Sequence, residues 1–158
     1  MLSKEQLQTV EEEVRRLLQK VGVAGDISVR QEEDESAEGP TVQVALRAQE
    51  PKMLIGERGQ TLFELQHIAK LILRKKIAEP FFLSLDVNEY KKNKEEYLRD
   101  LAQTTADEVT LLKKPKELSP MSSADRRVIH IALSNRTDVV SESVGEGPDR
   151  RVVIKLKE

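Results

Sequence analysis

Leu54-Ile55-Gly56-Glu57-Arg58-Gly59-Gln60-Thr61-Leu62 sets two glycines around two polar residues, with apolar residues on either side. Glycine at both ends lets the chain turn sharply and brings backbone close to a ligand without side-chain obstruction. A helical pattern follows: Thr61 and Glu64 repeat a capping-box spacing, and Leu62, Leu65, Ala69 and Ile72 share one face, widened by Ile68 and Leu73. The stretch reads as a tight loop opening a helix, whose positive N-terminal end favours an anion beside the loop. Gly-x-x-Gly alone is a weak pattern, and its other reading is an ordinary turn between two helices.

Working outward, the loop lies between alternating segments. Thr41 to Arg47 alternates as a strand, Pro51 to Ile55 is a short apolar turn, the helix runs from Thr61 to Lys76, and Phe81 to Val87 alternates with Phe81, Leu83, Leu85 and Val87 on one side. Upstream, Ser3 and Gln6 form a capping box, and Leu7, Val10, Val14, Leu17, Leu18 and Val21 recur at helical spacing until Gly22. Ile27 to Arg30 is a short strand. The acidic run Gln31 to Pro40 reads as a solvated hairpin loop, the alternative being a flap that keeps polyanions off one face. Lys70, Arg74, Lys75 and Lys76 complement the dipole at the C-terminal end of the helix. His67, with no Cys or second His nearby, reads as a packing or surface residue, not a metal ligand.

Helix, strand, strand, helical turn, Gly-x-x-Gly, helix, strand is the order of a KH domain in its bacterial (type II) arrangement, which residues 1–88 resemble. That resemblance implies a loop clamping the backbone of about four single-stranded nucleotides. Ile55, Gly56, Glu57, Arg58 and Gly59 would be the clamp, with Glu57 placing a carboxylate where a basic or neutral residue would suit phosphate better.

Asn88 can cap a helix in which Tyr90, Tyr97, Leu98, Leu101, Thr105, Val109 and Leu112 keep the period, until Lys113-Lys114-Pro115-Lys116 stops it. Glu117 to Met121 is an extended crossing. Ser122 or Ser123 caps a short helix bearing Asp125-Arg126-Arg127-Val128-Ile129-His130, in which Arg126 and His130 are four apart and project from one face. Asp138 to Val144, a Gly145-Glu146-Gly147-Pro148-Asp149 turn and Arg150 to Lys157 complete a β-hairpin with Val152, Ile154 and Leu156 on one side.

The Leu118-Ser119-Pro120-Met121 lead-in, the Arg126-x-x-x-His130 helix and the turn feeding Arg150-Arg151-Val152-Val153-Ile154 resemble an R-three-H domain. A KH domain followed directly by an R-three-H domain is similar to the bacterial Jag family, also called KhpB or EloR. The expectation is an α+β chain of two small domains: a type II KH domain at 1–88 with helices packed on a three-stranded sheet, and an R-three-H domain at 89–158, joined through the long helix. The resemblance implies cytoplasmic single-stranded RNA binding, extending to single-stranded DNA, with Arg126, Arg127, His130, Arg150 and Arg151 as a cationic phosphate patch. It further implies a single-KH-domain protein partner or a homodimer, and post-transcriptional control linked to cell elongation and envelope synthesis. The N-terminal Jag domain that many members carry is expected to be missing here.

Composition frames these readings. The 158 residues are 38% hydrophobic, contain no cysteine, and carry a net charge of −2. Residues 1–88 hold 12 Lys and Arg against 15 Asp and Glu, and the remainder 14 against 13. Neither half is a polycation, so polyanion binding must come from local geometry. Disulfides and cysteine-based zinc sites are excluded, and no apolar run approaches the ~20 residues of a membrane span. No carboxylate, histidine and nucleophile set and no P-loop surrounds His130, so neither an enzyme nor a cofactor is expected. A protein-interaction module with incidental nucleic-acid binding is the alternative. Aromatic residues make up 3% of the chain, so base stacking must be sparse. An exposed His130 titrating near pH ~6.5 would add to RNA affinity as pH falls from about 8 to about 6; the alternative is a buried His130 that is merely hydrogen-bonded and serves stability.

Overall fold

The computed structural model describes residues 1–32 and 39–157; Glu33 to Glu38 of the expected acidic loop lie outside the described residues. Contacts divide the chain into Met1–Lys91 and Lys92–Glu158.

In the first unit, helix α1 (Lys4–Val21) begins at the capping box read from sequence. The Ser3 hydroxyl accepts from the Gln6 amide, Gln6 Oε1 accepts from the Ser3 amide, and Gly22 ends the helix in the left-handed region. Strands β1 (Gly25–Glu32), β2 (Thr41–Ala48) and β3 (Phe82–Val87) form a sheet in that order. β1 pairs antiparallel with β2, placing Val29 opposite Val44. β2 pairs parallel with β3, placing Val44 opposite Leu85. Parallel neighbours need a crossover, here helix α2 (Pro51–Ile55), a single 3₁₀ turn (Glu57–Gly59) and helix α3 (Gln60–Arg74). Alternation sends Val42, Val44, Leu46, Leu83, Leu85 and Val87 into one core with Val10, Val14 and Leu18 of α1 and Leu62, Leu65, Ala69 and Leu73 of α3. The buried carboxylate of Glu13 is compensated by Lys76 at 2.8 Å and Arg16 at 2.9 Å.

Three sequence expectations fail here. Thr61 does not cap α3, which starts one residue earlier with Gly59 at its N-cap and no capping side chain. Glu64 accepts instead from the Gln60 side chain at 2.9 Å. Ile68 does not widen the buried face of α3 but stays 44% exposed. Asn88 does not cap the next helix; its side-chain amide bonds both the N–H and the C=O of Ala48 at 2.9 Å, extending the β2 ladder past the end of β3.

Helix α4 (Tyr90–Leu112) opens instead with the Asp86 carboxylate accepting from the Lys91 amide at 3.2 Å. Its residues from Lys92 onward belong to the second unit, with strand β4 (Lys116–Glu117), helix α5 (Ser123–Leu133), strand β5 (Val139–Val144) and strand β6 (Arg151–Leu156). The stretch read as an extended crossing thus contributes a strand at its start. The sheet order is β4-β6-β5, antiparallel throughout. Leu98, Ala102, Ala106 and Val109 of α4 and Ile129 and Leu133 of α5 share a core with Val139, Val152 and Ile154. Tyr97 and Leu112, expected on the periodic face of α4, are 64% and 56% exposed. Ser122 caps α5 through the Asp125 amide at 3.2 Å. Arg136, just past α5, pairs bidentately with Asp138 at 2.7 and 2.8 Å and reaches Asp107 of α4 at 2.7 Å. The Arg136 guanidinium and the Thr110 hydroxyl hold the Asp138 carboxyl far below the usual carboxylate range.

Candidate functional site

The Gly56–Gly59 turn of the first unit needs glycine at both ends for reasons beyond backbone freedom. Gly56 has φ 70°, and a Cβ there would lie 2.0 Å from Thr61 Oγ1 and 2.9 Å from its backbone nitrogen. Gly59 has φ 83°, and a Cβ there would meet the Tyr90 ring at 2.8 Å. Thr61 and Tyr90 therefore pack straight onto the loop backbone, a role that composition and spacing did not signal. Glu57 and Arg58 stand exposed at the tip, and Arg58 itself is left-handed at φ 53°. That conformation costs a non-glycine residue roughly 1–2 kcal/mol. Ile55, at the end of α2, is half-buried behind the loop. No side chain caps α3, whose N-terminal end carries the positive end of the helix dipole.

Farther along α3 the seam with β3 is closed. Gln66 Oε1 accepts from the Leu85 amide at 2.9 Å, and Lys91 Nζ donates to Ser84 Oγ at 2.9 Å and to Gln66 Oε1 at 3.3 Å. Burial pulls the Lys91 ammonium below the usual lysine range.

In the second unit, Arg126 and His130 do share one side of α5, and that side faces β5. Arg126 Nη1 donates to Ser143 Oγ at 2.9 Å. The His130 ring spans two hydroxyls, with Nδ1 2.7 Å from Ser141 and Nε2 2.9 Å from Ser143. Ser141 and Ser143 lie opposite Ile154 and Val152, so they stand on the buried side of β5. Their spacing of two, in register with buried Val139, is the sequence signal that would have found them. The face read as exposed is half-buried, and both side chains are hydrogen-bonded, which for His130 lies nearer the alternative reading than the exposed one. Burial and the neighbouring Arg126 push the His130 pKa below its ordinary value, so protonation near pH 6.5 is also corrected. Among the described residues, Arg126 Nε is a buried donor without a partner.

The remaining cations are dispersed in role. Arg151 is paired with Glu117 at 2.7 Å. Arg127 and Arg150 are exposed, and the Arg150 carbonyl accepts from the Met121 amide at 3.1 Å, next to the start of α5. Among the described residues no group of three or more His, Asp or Glu side chains is placed to hold a metal ion, and no helix is long and apolar enough to cross a membrane.

Residues 96–156 match the R-three-H domain. The chain is 38% identical over 137 residues to the RNA-binding protein KhpB of Clostridium symbiosum, an alignment covering 87% of this chain and 60% of that protein. It is 34% identical over 119 residues to the RNA-binding protein KhpB of Bacillus subtilis (strain 168), covering 74% and 57%. With that of Streptococcus pneumoniae serotype 2 it shares 31% over 114 residues, covering 72% and 35%. The chain thus spans three fifths or less of the length of these curated relatives.

Proposed function

We propose that this chain is a non-catalytic, single-stranded RNA-binding protein of the KhpB (Jag) family, with a type II KH domain preceding its R-three-H domain. The observation that carries the reading is Arg126: a guanidinium fixed by Ser143, with a buried Nε donor that no protein acceptor fills. Nε itself is shut off from solvent, so a phosphate would meet the half-exposed remainder of the guanidinium, whose charge-assisted hydrogen bonds are the stronger kind. Exposed Arg127 and Arg150 add charge on the same unit without a protein partner among the described residues. The relatives' shared description as RNA-binding proteins supports the ligand class.

For the first unit, the element order, the mixed sheet and the Gly56-Glu57-Arg58-Gly59 turn at the head of α3 support a KH clamp. It would work through backbone amides and Arg58, with Glu57 moderating affinity. On this reading the KH unit comprises about residues 1–88, with α4 as the connection to the R-three-H unit. A cytoplasmic post-transcriptional role in cell elongation and envelope synthesis, with a single-KH-domain partner, follows from the family reading. The second reading, a protein-interaction module, is favoured by the exposed apolar side chains of Met53, Phe63 and Leu71 in the first unit.

Titrating unstructured RNA into the intact chain across a salt series tests the main reading. Affinity should fall linearly with salt on logarithmic axes, and Arg126→Gln should weaken binding and flatten the slope. Salt-independent or absent binding would favour the protein-interaction reading.

A further inference from the structure

We propose a second nucleotide subsite in the first unit, at the C-terminal end of α3, where Lys70, Arg74 and the ring of Phe82 wall a cavity of about 420 Å³. The inference rests on the RNA-binding reading and extends it beyond the Gly56–Gly59 loop. Contacts march in opposite directions along the two elements: Gly59 against Tyr90, Gln66 on Leu85, Lys70 over Phe82. Helix α3 and strand β3 are therefore antiparallel neighbours, and a strand leaving the loop along α3 is led toward this cavity. From Gly59 to Lys70 the helix advances roughly 16 Å. Between the two points Gln66 and Lys91 close the seam, and the cavity lies beyond them along this path.

Its chemistry suits a nucleotide. Phe82 lies on the outer side of β3 and is 44% exposed, whereas its chain neighbours Phe81 and Leu83 are buried. Lys70 and Arg74 are four apart and share one face of α3. Lys70 Nζ rests 5.5 Å from the centre of the Phe82 ring, a weak contact at an exposed site, from which the ammonium can swing to a phosphate. Arg74 is exposed and has no side-chain partner among the described residues. Glu79 forms another wall, but Gln6 Nε2 donates to its carboxylate at 2.6 Å. A phosphate is thereby directed to the Lys70 and Arg74 side and a base to Phe82. Every base offers a π-face, so the subsite takes any nucleotide that follows the clamped ones.

The experiment compares unstructured RNAs of four and of about eight nucleotides on the full chain, with a fluorescent base analogue at either end of the longer one. Wild type should bind the longer RNA more tightly and quench the analogue at one end. Phe82→Leu should weaken the longer RNA by about tenfold, leave the shorter unchanged and abolish the quench, while Phe82→Tyr retains both. Lys70→Gln with Arg74→Gln should lower the salt slope for the longer RNA by about two. Equal binding of both lengths by wild type, or equal loss for both lengths in Phe82→Leu at unchanged circular dichroism, overturns the subsite and leaves the loop reading standing. A change of oligomeric state in Phe82→Leu with RNA affinities intact assigns the cavity to a protein partner and overturns it as well. Failure of wild type to bind either RNA removes the RNA reading and the subsite together.

Discussion

Arg126 and His130 meet at one hydroxyl: Ser143 Oγ accepts from Arg126 Nη1 at 2.9 Å and lies 2.9 Å from His130 Nε2. A hydroxyl has one proton and two lone pairs, so Ser143 can accept from Arg126 while donating to Nε2, and Nδ1–H then donates to Ser141. The opposite tautomer, with Nε2–H donating to Ser143 and Ser141 donating to Nδ1, satisfies the same distances, so the network holds a neutral imidazole in either form. Ser143→Ala should strip a second donor of its acceptor on a guanidinium whose Nε already has none, destabilising the second unit by about 1–3 kcal/mol. Urea unfolding of the full chain, followed by a probe in residues 92–158, measures it; an unchanged midpoint would mean that water replaces Ser143 freely.

The same network sets the pH dependence. His130 titrates in the folded chain below the ~6.5 of an unperturbed histidine, through burial first and Arg126 second. As pH falls, the unfolded chain therefore takes up the proton before the folded one does. The stabilising contribution is complete above about pH 6.5 and declines as pH drops toward the folded value. His130→Gln should flatten this part of the stability profile, and the imidazole resonances of His130 should shift with a midpoint under 6.5. RNA affinity should gain nothing from His130 between pH 8 and pH 6.5, contrary to what an exposed histidine would give.

Two left-handed glycines in different surroundings make a graded comparison possible. Gly22 ends α1 at φ 80° with open space around it, whereas Gly59 at φ 83° faces the Tyr90 ring. Alanine at either position bears the left-handed cost of about 1–2 kcal/mol. Only Gly59→Ala adds the collision with Tyr90, so it should destabilise the first unit more than Gly22→Ala and lower RNA affinity where Gly22→Ala does not. Combining Gly59→Ala with Tyr90→Ala should recover part of the excess, as a coupling of roughly 0.5–3 kcal/mol in a double-mutant cycle. Additive effects would show that the ring does not hold the loop.

Local chemistry explains what the sequence made legible. Ser3 and Gln6 cap α1 because capping needs only neighbours three residues apart, and the alternation of Val42, Val44 and Leu46 needs only the pleat of one strand. Asn88 failed as a cap because it found a partner beyond local reach, and Thr61 because the helix begins before it, at Gln60. Asn88 lies 40 residues from Ala48 yet bonds both of its backbone groups, and Thr61 covers Gly56 instead of turning back to its own helix. The Arg126 and His130 spacing was visible, but whether their side faces water or a strand depends on where β5 docks. That docking is set by Val139, Val152 and Ile154 joining the core of α4 and α5, a relation no single helix encodes. Ile68 shows the same limit: its position suits an apolar stripe, and packing left it outside.

The last prediction isolates the carboxylate in the loop. Glu57 and Arg58 are both exposed at the tip, so exchanging the charge at 57 changes what a phosphate meets without disturbing the core. Glu57→Lys should tighten binding of short unstructured RNA and steepen the logarithmic salt dependence by about one, as one more phosphate contact displaces one more counterion. Stability should stay within about 0.5 kcal/mol, the range for surface changes away from special backbone positions. Placing Asp at both 57 and 58 should do the reverse, cutting affinity while far-ultraviolet circular dichroism is unchanged. The comparison with Arg126→Gln then apportions the binding. If the loop and the Arg126 seam both contact RNA, the paired Asp change and Arg126→Gln each lower the salt slope of the full chain separately. If Glu57→Lys leaves affinity and slope where they were, the loop tip does not face the RNA and the R-three-H unit carries the contact.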